Sequence, residues 1–261
     1  LHRIARRKGE AAAEELKGAY RKLIGIAAAS RAQAEQVRDA LANQAEKTAR
    51  RLVEQFDHFL PLVGQAIAQA TRRVLQGEPV PAREKLLSLF EPHTQVIVRH
   101  KAGKDVEFGR KLWLEEVDGG IVSGYRLLDE AGQDEAYLAE SLAAHQRRFG
   151  HPPWLVTGDR GVASAANERL AKDAGVKRVV LPYRGRASPK RPQPERQAWF
   201  RRGYRFRAGI EGRISVLRRG YGLDRCRDHG EAGMGRWVGW GIVAANLAKI
   251  ARTVAARSAR Q

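Results

Sequence analysis

Two acids stand out against a basic chain. Asp159 ends the run Trp154-Leu155-Val156-Thr157-Gly158 and precedes Arg160-Gly161, and Glu211 is the single acid of residues 204–218 (YRFRAGIEGRISVLR), which hold four arginines. Carboxylate oxygens suit a hard divalent cation such as Mg²⁺, and a nucleic-acid phosphate completes its coordination. Two such ions about 3.5–4 Å apart activate the attacking oxygen and stabilise the leaving one during in-line phosphodiester displacement. Arginines around them would hold the backbone on both sides of the scissile bond. Each acid also has a plainer reading. Glu211 pairs with Arg207 one helical turn earlier, and Asp159 closes an Asx-turn or caps the next helix.

The elements that must position these acids are legible nearby. Tyr204, Arg207, Glu211 and Arg218 fall within about 60° of one another on an α-helix. Residues 154–157 form a short apolar strand, so Asp159 lies just past its carboxyl end, where open α/β sheets bind ligands. A helix over 164–174, closed by Gly175, leads to a second strand over 177–181 that should run parallel to the first. Upstream, a strand is expected at 95–99. A hairpin should pair 107–117 with 121–128 around Asp118-Gly119-Gly120, and a helix should follow at 134–148. The last helix, 233–258, is headed by Trp237 and Trp240, and its Ile242, Val243, Leu247 and Ile250 are expected to seal the core. Residues 3–76 are rich in Ala, Glu, Gln, Arg and Leu. They predict helices at 3–27, 30–57 with Ser30 as N-cap, and 62–76, packed as a hairpin or small bundle. No heptad holds there for three repeats. The Gly/Pro-rich break at 77–81 then divides a helical arm, 1–88, from an α/β core, 89–261.

Composition points to an anionic partner. The 261 residues carry a formal charge of +19, which opposes compaction unless polyanion is near, and nucleic acid is the commonest such partner. Twelve Lys or Arg against two acids, Glu195 and Glu211, crowd residues 184–219, interleaved with Trp199, Phe200, Tyr204 and Phe206. Charge with aromatics suits a phosphate backbone plus stacking, although such aromatics also anchor a surface loop. Arg201, Arg202, Arg205, Arg213 and Arg219 join Tyr204, Arg207 and Arg218 as candidate DNA contacts. The most apolar stretch, 237–250, contains Asn246 and Lys249 and is too short to span a bilayer. The single cysteine, Cys226, excludes an internal disulfide and a cysteine-based zinc cluster and suits a reducing cytoplasm.

The pattern Tyr204-x2-Arg207-x3-Glu211-x6-Arg218 resembles the Y-R-E-K signature of DDE transposases from bacterial insertion sequences, with Arg in the final Lys position. Gly158-Asp159-Arg160-Gly161 resembles the element that carries their second catalytic aspartate. The blocks LFEPHTQVIVRHKAGKDVEFGRK, RAGIEGRISVLRRGYGLDRCR and GMGRWVGWGIVAANLAKIAR are similar to the "not classified yet" (ISNCY) group of these enzymes. The resemblance covers essentially the whole chain. It implies an RNase H-like core and Mg²⁺-dependent DNA cleavage, with Mn²⁺ as a substitute ion, followed by strand transfer at the element's ends. It makes Asp159 and Glu211 metal ligands, and Tyr204, Arg207 and Arg218 supporting contacts to DNA. It implies transposon-end and target DNA as partners, a homodimer or higher synaptic complex, and a place on the bacterial nucleoid. The family uses three carboxylates. Asp57, Asp105 and Asp118 are predicted in a helix, a loop and a hairpin tip, so the first aspartate is expected upstream of Leu1, leaving this fragment inactive alone.

Two other readings remain. One is a different RNase H-like nuclease, and the other a non-catalytic DNA-binding remnant in which the acids are incidental. Weaker candidates are His93, read as a turn residue, and His145 and His229, which lack the helical partner a zinc site requires. Cys226 is expected to pack.

Overall fold

The computed structural model describes residues 9–101, 104–128, 134–182 and 197–259. Residues 184–196 of the arginine-rich segment, with Glu195 among them, lie outside the described residues. The chain is a mixture of helix and strand divided into two compact units, 1–110 and 111–261. The division falls past the expected arm, which ended at residue 88, because the first pair of strands groups with the helices.

In the first unit, α1 (Glu10–Ala42) and α2 (Lys47–Ala70) form a helical hairpin, and α2 continues into a π-helical turn, Thr71–Leu75. The expected breaks near 28 and 58–61 are absent. Ser30 lies inside α1 and Pro61 inside α2, while the chain turns at 43–46. The reason is partly local, since Ala27-Ala28-Ala29 propagates a helix and one serine does not stop it. It is partly tertiary, since side chains bind the helices across the hairpin: Arg38 Nε donates to Asp57 Oδ1 at 2.8 Å. Packing along both sides of Pro61 outweighs the one backbone bond that proline removes. Beyond the hairpin, β1 (Gln95–Lys101) pairs antiparallel with β2 (Lys104–Gly109).

The second unit opens with the hairpin of β3 (Lys111–Val117) and β4 (Ile121–Leu128). Its turn is the expected Asp118-Gly119-Gly120, with φ of +81° and +78° at the glycines, a region that costs other residues strain. Residues 107–109 do not join this hairpin. Gly109, at φ +141°, ends the β1–β2 ladder, and the next ladder starts at Lys111. The α3 helix (Leu138–Phe149) follows a 3₁₀ turn and stops at Gly150 in the left-handed conformation. Then β5 (Leu155–Thr157), α4 (Ala165–Asp173) and β6 (Arg178–Val180) make a βαβ unit, and β5 and β6 run parallel as expected. The final elements are α5 (Ala198–Gly220) and α6 (Gly230–Ser258). Among the described residues the strands form three separate two-stranded sheets and not one mixed sheet.

Two apolar cores hold this unit. Leu138, Leu142, Val162, Ala171, Val176 and Val179 gather α3, α4 and the βαβ strands. Leu217 of α5 packs with Val122 of β4 and with Val238, Ile242 and Ala245 of α6. Only Ile242 of the four α6 residues expected in the core is buried; Val243, Leu247 and Ile250 are exposed. Positions 238, 242 and 245 share one stripe, and 243, 247 and 250 lie on the opposite side of the helix. The chain's apolar run thus serves two faces.

The α4 helix begins as its sequence predicts. Ser164 Oγ accepts from Asn167 N at 3.0 Å, and buried Asn167 returns its Nδ2 to the Val162 carbonyl at 2.8 Å. Replacing Ser164 with alanine should cost about 1 kcal/mol, read as a lower urea midpoint at constant slope. An unchanged midpoint would show that the cap is not stabilising.

Candidate metal and nucleic-acid site

Asp159 sits two residues beyond β5 on a tightly organised turn. Its Oδ1 accepts from Gly161 N at 2.8 Å and Val162 N at 3.2 Å. This is the Asx-turn arrangement, and it engages one of the two carboxylate oxygens. Val162 and Ala163 are buried beneath the turn. At Gly158 a Cβ would stand 3.0 Å from Val162 Cβ and 3.1 Å from Leu181 Cδ2, so the chain passes close to the core there. Thr157 Oγ1 donates to the Val180 carbonyl at 3.0 Å, which ties the end of β5 to β6.

The α5 helix approaches those strands through Gly203. A Cβ at this position would come within 2.7 Å of Val180 Cγ2 and 3.2 Å of Leu155 Cδ1. The helix carrying Glu211 and the strand leading to Asp159 are therefore packed neighbours. Phe200, Gly203 and Leu217 form the buried side of α5, with Arg207, Ile210 and Arg213 half-buried beside them. Tyr204, Glu211 and Arg218 follow the margin of this buried side, at the border between interior and solvent. The Glu211 side chain is 71% exposed and lies 3.5 Å from Arg207 Nη2. Arg207 Nε is buried and has no hydrogen-bond partner. The sequence stripe is thus one stripe in space, and the plain Glu211–Arg207 pairing is present as well. The two acids are engaged separately, Asp159 by turn amides and Glu211 by Arg207.

The candidate DNA contacts divide into two sets. Arg201, Arg202, Arg205 and Arg219 are exposed. Arg213 is turned inward. Its Nε lies 3.6 Å from Glu116 Oε2 of β3, both side chains being mostly buried, so it links α5 to the hairpin. Position 213 lies within about 40° of Leu217 on the helix, which places it on the packed side. Arg218 Nη2 and Nε reach Asp224 Oδ1 at 2.7 and 3.2 Å, with both side chains exposed. The aromatics divide as well. Phe200 belongs to the core. The Arg178 guanidinium stands 4.7 Å from the Trp199 ring centroid. Tyr204 and Phe206 remain exposed. Glu116, Asp224 and Arg178 escaped the sequence reading. Arg213 and Glu116 are nearly a hundred positions apart, and Asp224 lies beyond the helix end, where no helical spacing connects it to Arg218.

Among the described residues no three His, Cys, Asp or Glu gather as they would around a metal ion. The donor chemistry of Asp159 and Glu211 nevertheless suits Mg²⁺, which is commonly held by one or two carboxylates with phosphate and water completing the shell. Asp57, weighed as the first aspartate, is committed to Arg38 in the first unit. Asp118 Oδ1 accepts from Gly119 N at 2.8 Å in the hairpin turn.

The weaker candidates are also placed. His145 has a histidine neighbour after all, with 6.1 Å between its ring centroid and that of His151. Burial first, and His151 second, hold the His145 imidazole below its ordinary pKa. His93 occupies a turn, 3.4 Å from Glu91. The half-buried Cys226 thiol donates to the Asp228 carbonyl at 3.3 Å. Among the described residues no helix is long and apolar enough to cross a membrane. No family model matches the chain, and no curated protein or solved structure matches it either.

Proposed function

We propose that this chain forms the greater part of the catalytic region of a DDE transposase, with an RNase H-like arrangement, that cleaves DNA at insertion-sequence ends and joins it to a target. One observation carries the reading. Tyr204, Glu211 and Arg218 line the solvent margin of a single helix with Arg207 half-buried beside them, and that helix packs on the strand that leads to Asp159. In this reading Asp159 and Glu211 hold Mg²⁺. Bound there, the metal would supply Lewis-acid activation of the attacking oxygen and stabilisation of the leaving one. The Asx-turn fixes the Asp159 carboxylate before any ligand arrives, and Arg207, half-sunk beside Glu211, restricts that side chain's reach. Arg201, Arg202, Arg205 and Arg219 offer exposed charge to the phosphates, while Arg213 braces the helix from behind. Arg218 would exchange or share Asp224 when it meets DNA.

A second reading, a non-catalytic DNA-binding remnant, is favoured by the separate engagement of the two acids. Both readings require DNA binding. The chain should bind duplex DNA with a log–log salt slope of about −0.9 for each neutralised phosphate, measured by fluorescence anisotropy at several salt concentrations. A slope near zero would sink both. They part on chemistry. A longer chain that supplies a third acid from upstream should nick DNA bearing the element's ends only when Mg²⁺ or Mn²⁺ is present, whereas residues 1–261 alone should not. Failure of the longer chain to nick leaves the remnant reading, and nicking by 1–261 alone removes the need for an upstream acid.

A further inference from the structure

The α6 helix has a second apolar stripe that the core does not use. Trp240, Val243, Leu247, Ile250 and Val254 follow the 3-4-3-4 spacing of a coiled-coil seam and are 44–72% exposed. They lie opposite Val238, Ile242 and Ala245, which face the core. The flanking positions, Gly239, Ala244, Asn246, Ala251 and Thr253, carry no charge. Moreover, α6 runs to Ser258, yet its last buried residue is Ala245 and residues 250–259 are all exposed. Helix that gains no tertiary burial is marginal in water, and the seam continues along this outlying part through Val254.

We infer that this seam is a self-association surface, on which α6 of a second copy lies antiparallel. Charge singles out the route. Two chains of +19 repel each other, and from Trp240 to Val254 the seam is uncharged, with Lys249 and Arg252 on the other side of the helix and Arg236 and Arg257 closing the strip at its two ends. Area supports it. With apolar side chains of about 150–250 Å² each, the exposed fractions amount to roughly 500 Å² per copy and about 1,000 Å² per pair, the floor for a specific interface. Direction follows from sizes. Across a two-fold axis at Leu247, where the two leucines meet, Trp240 of one copy meets Val254 of the other and Val243 lies nearest Ile250, so the outer layers pair a larger side chain with a smaller one. A parallel pair would stack the two tryptophans. The surface is independent of the metal site and of any DNA contact.

The test is sedimentation equilibrium of the nuclease-treated chain in about 1 M salt, where screening reduces charge effects to about 3 Å. A dimer at micromolar concentration is expected, weakened at least tenfold by Leu247→Glu and by Ile250→Glu. Both positions are exposed in the single chain, so the packed part of the second unit should stay folded, with any helical loss confined to α6 beyond Ala245, and Trp240→Ala provides a milder variant that weakens the dimer in the same direction. In a Cys226→Ser background, Trp240→Cys mixed with Val254→Cys should cross-link between copies, and Trp240→Cys alone should not. A monomeric parent chain, a dimer that survives both Glu substitutions, a dimer lost on nuclease treatment, or self-cross-linked Trp240→Cys would each overturn the inference.

Discussion

On the transposase reading proposed above, Glu211→Gln and Asp159→Asn, each made in a chain long enough to supply a third acid, should lower Mg²⁺-dependent strand cleavage by at least about 10²–10³-fold, the scale of losing one preorganised electrostatic contact in an active site. The structure makes these substitutions unusually clean. Asn at 159 retains the oxygen that accepts from the Gly161 and Val162 amides, so the turn persists while the charge and the anionic ligand are lost. Gln at 211 keeps its shape on an exposed helix margin, and its ion pair with Arg207 is the kind worth about 0–1 kcal/mol. Melting temperatures should therefore stay close to the parent. DNA affinity should hold or rise, because each change removes negative charge beside phosphates. Cleavage assays with labelled duplex, run beside anisotropy titrations, read both quantities. Parent-level cleavage in both variants would end the metal-site assignment. Loss of cleavage together with loss of folding would point to a structural role for the acids.

Leu217→Ala should be the most destabilising single substitution in the second unit, by about 2–5 kcal/mol. Its side chain is 0% exposed and joins α5 to Val122, Val238, Ile242 and Ala245. Truncation removes apolar contact and leaves a cavity that two helices and a hairpin cannot all close at once. For a unit of this size the melting temperature should fall on the order of 10 °C. Ile214→Ala, on the same helix but exposed, should change stability far less. Circular-dichroism melts of the two variants provide the comparison, and equal shifts would show that burial is not what holds α5. Leu217 lies six residues from Glu211, so this variant should also lose activity. Stability, and not chemistry, would be the cause.

Sequence alone was enough where the determinants are local. The Asp118-Gly119-Gly120 turn and the start of a helix at residue 164 follow from residues within a few positions of one another, whose backbone preferences act before any tertiary contact forms, and the parallel β5–β6 pair follows from the helical crossover between two apolar runs. The common stripe of Tyr204, Arg207, Glu211 and Arg218 belongs here too, since helical geometry alone sets it.

Tertiary packing decided the rest. Which face of α6 turns inward depends on what β4 and α5 present to it, so Leu247 and Ile250, as apolar as Val238 and Ile242, ended in solvent. The direction taken by Arg213 depends on Glu116 waiting at a distant position in the chain, and that of Arg218 on Asp224 beyond the helix end. Helix ends in the first unit shifted because contacts across the α1–α2 hairpin outweigh a single serine or proline. Residue types and spacing state what a side chain could do, and only the partners that folding brings to it determine which of those roles remains open.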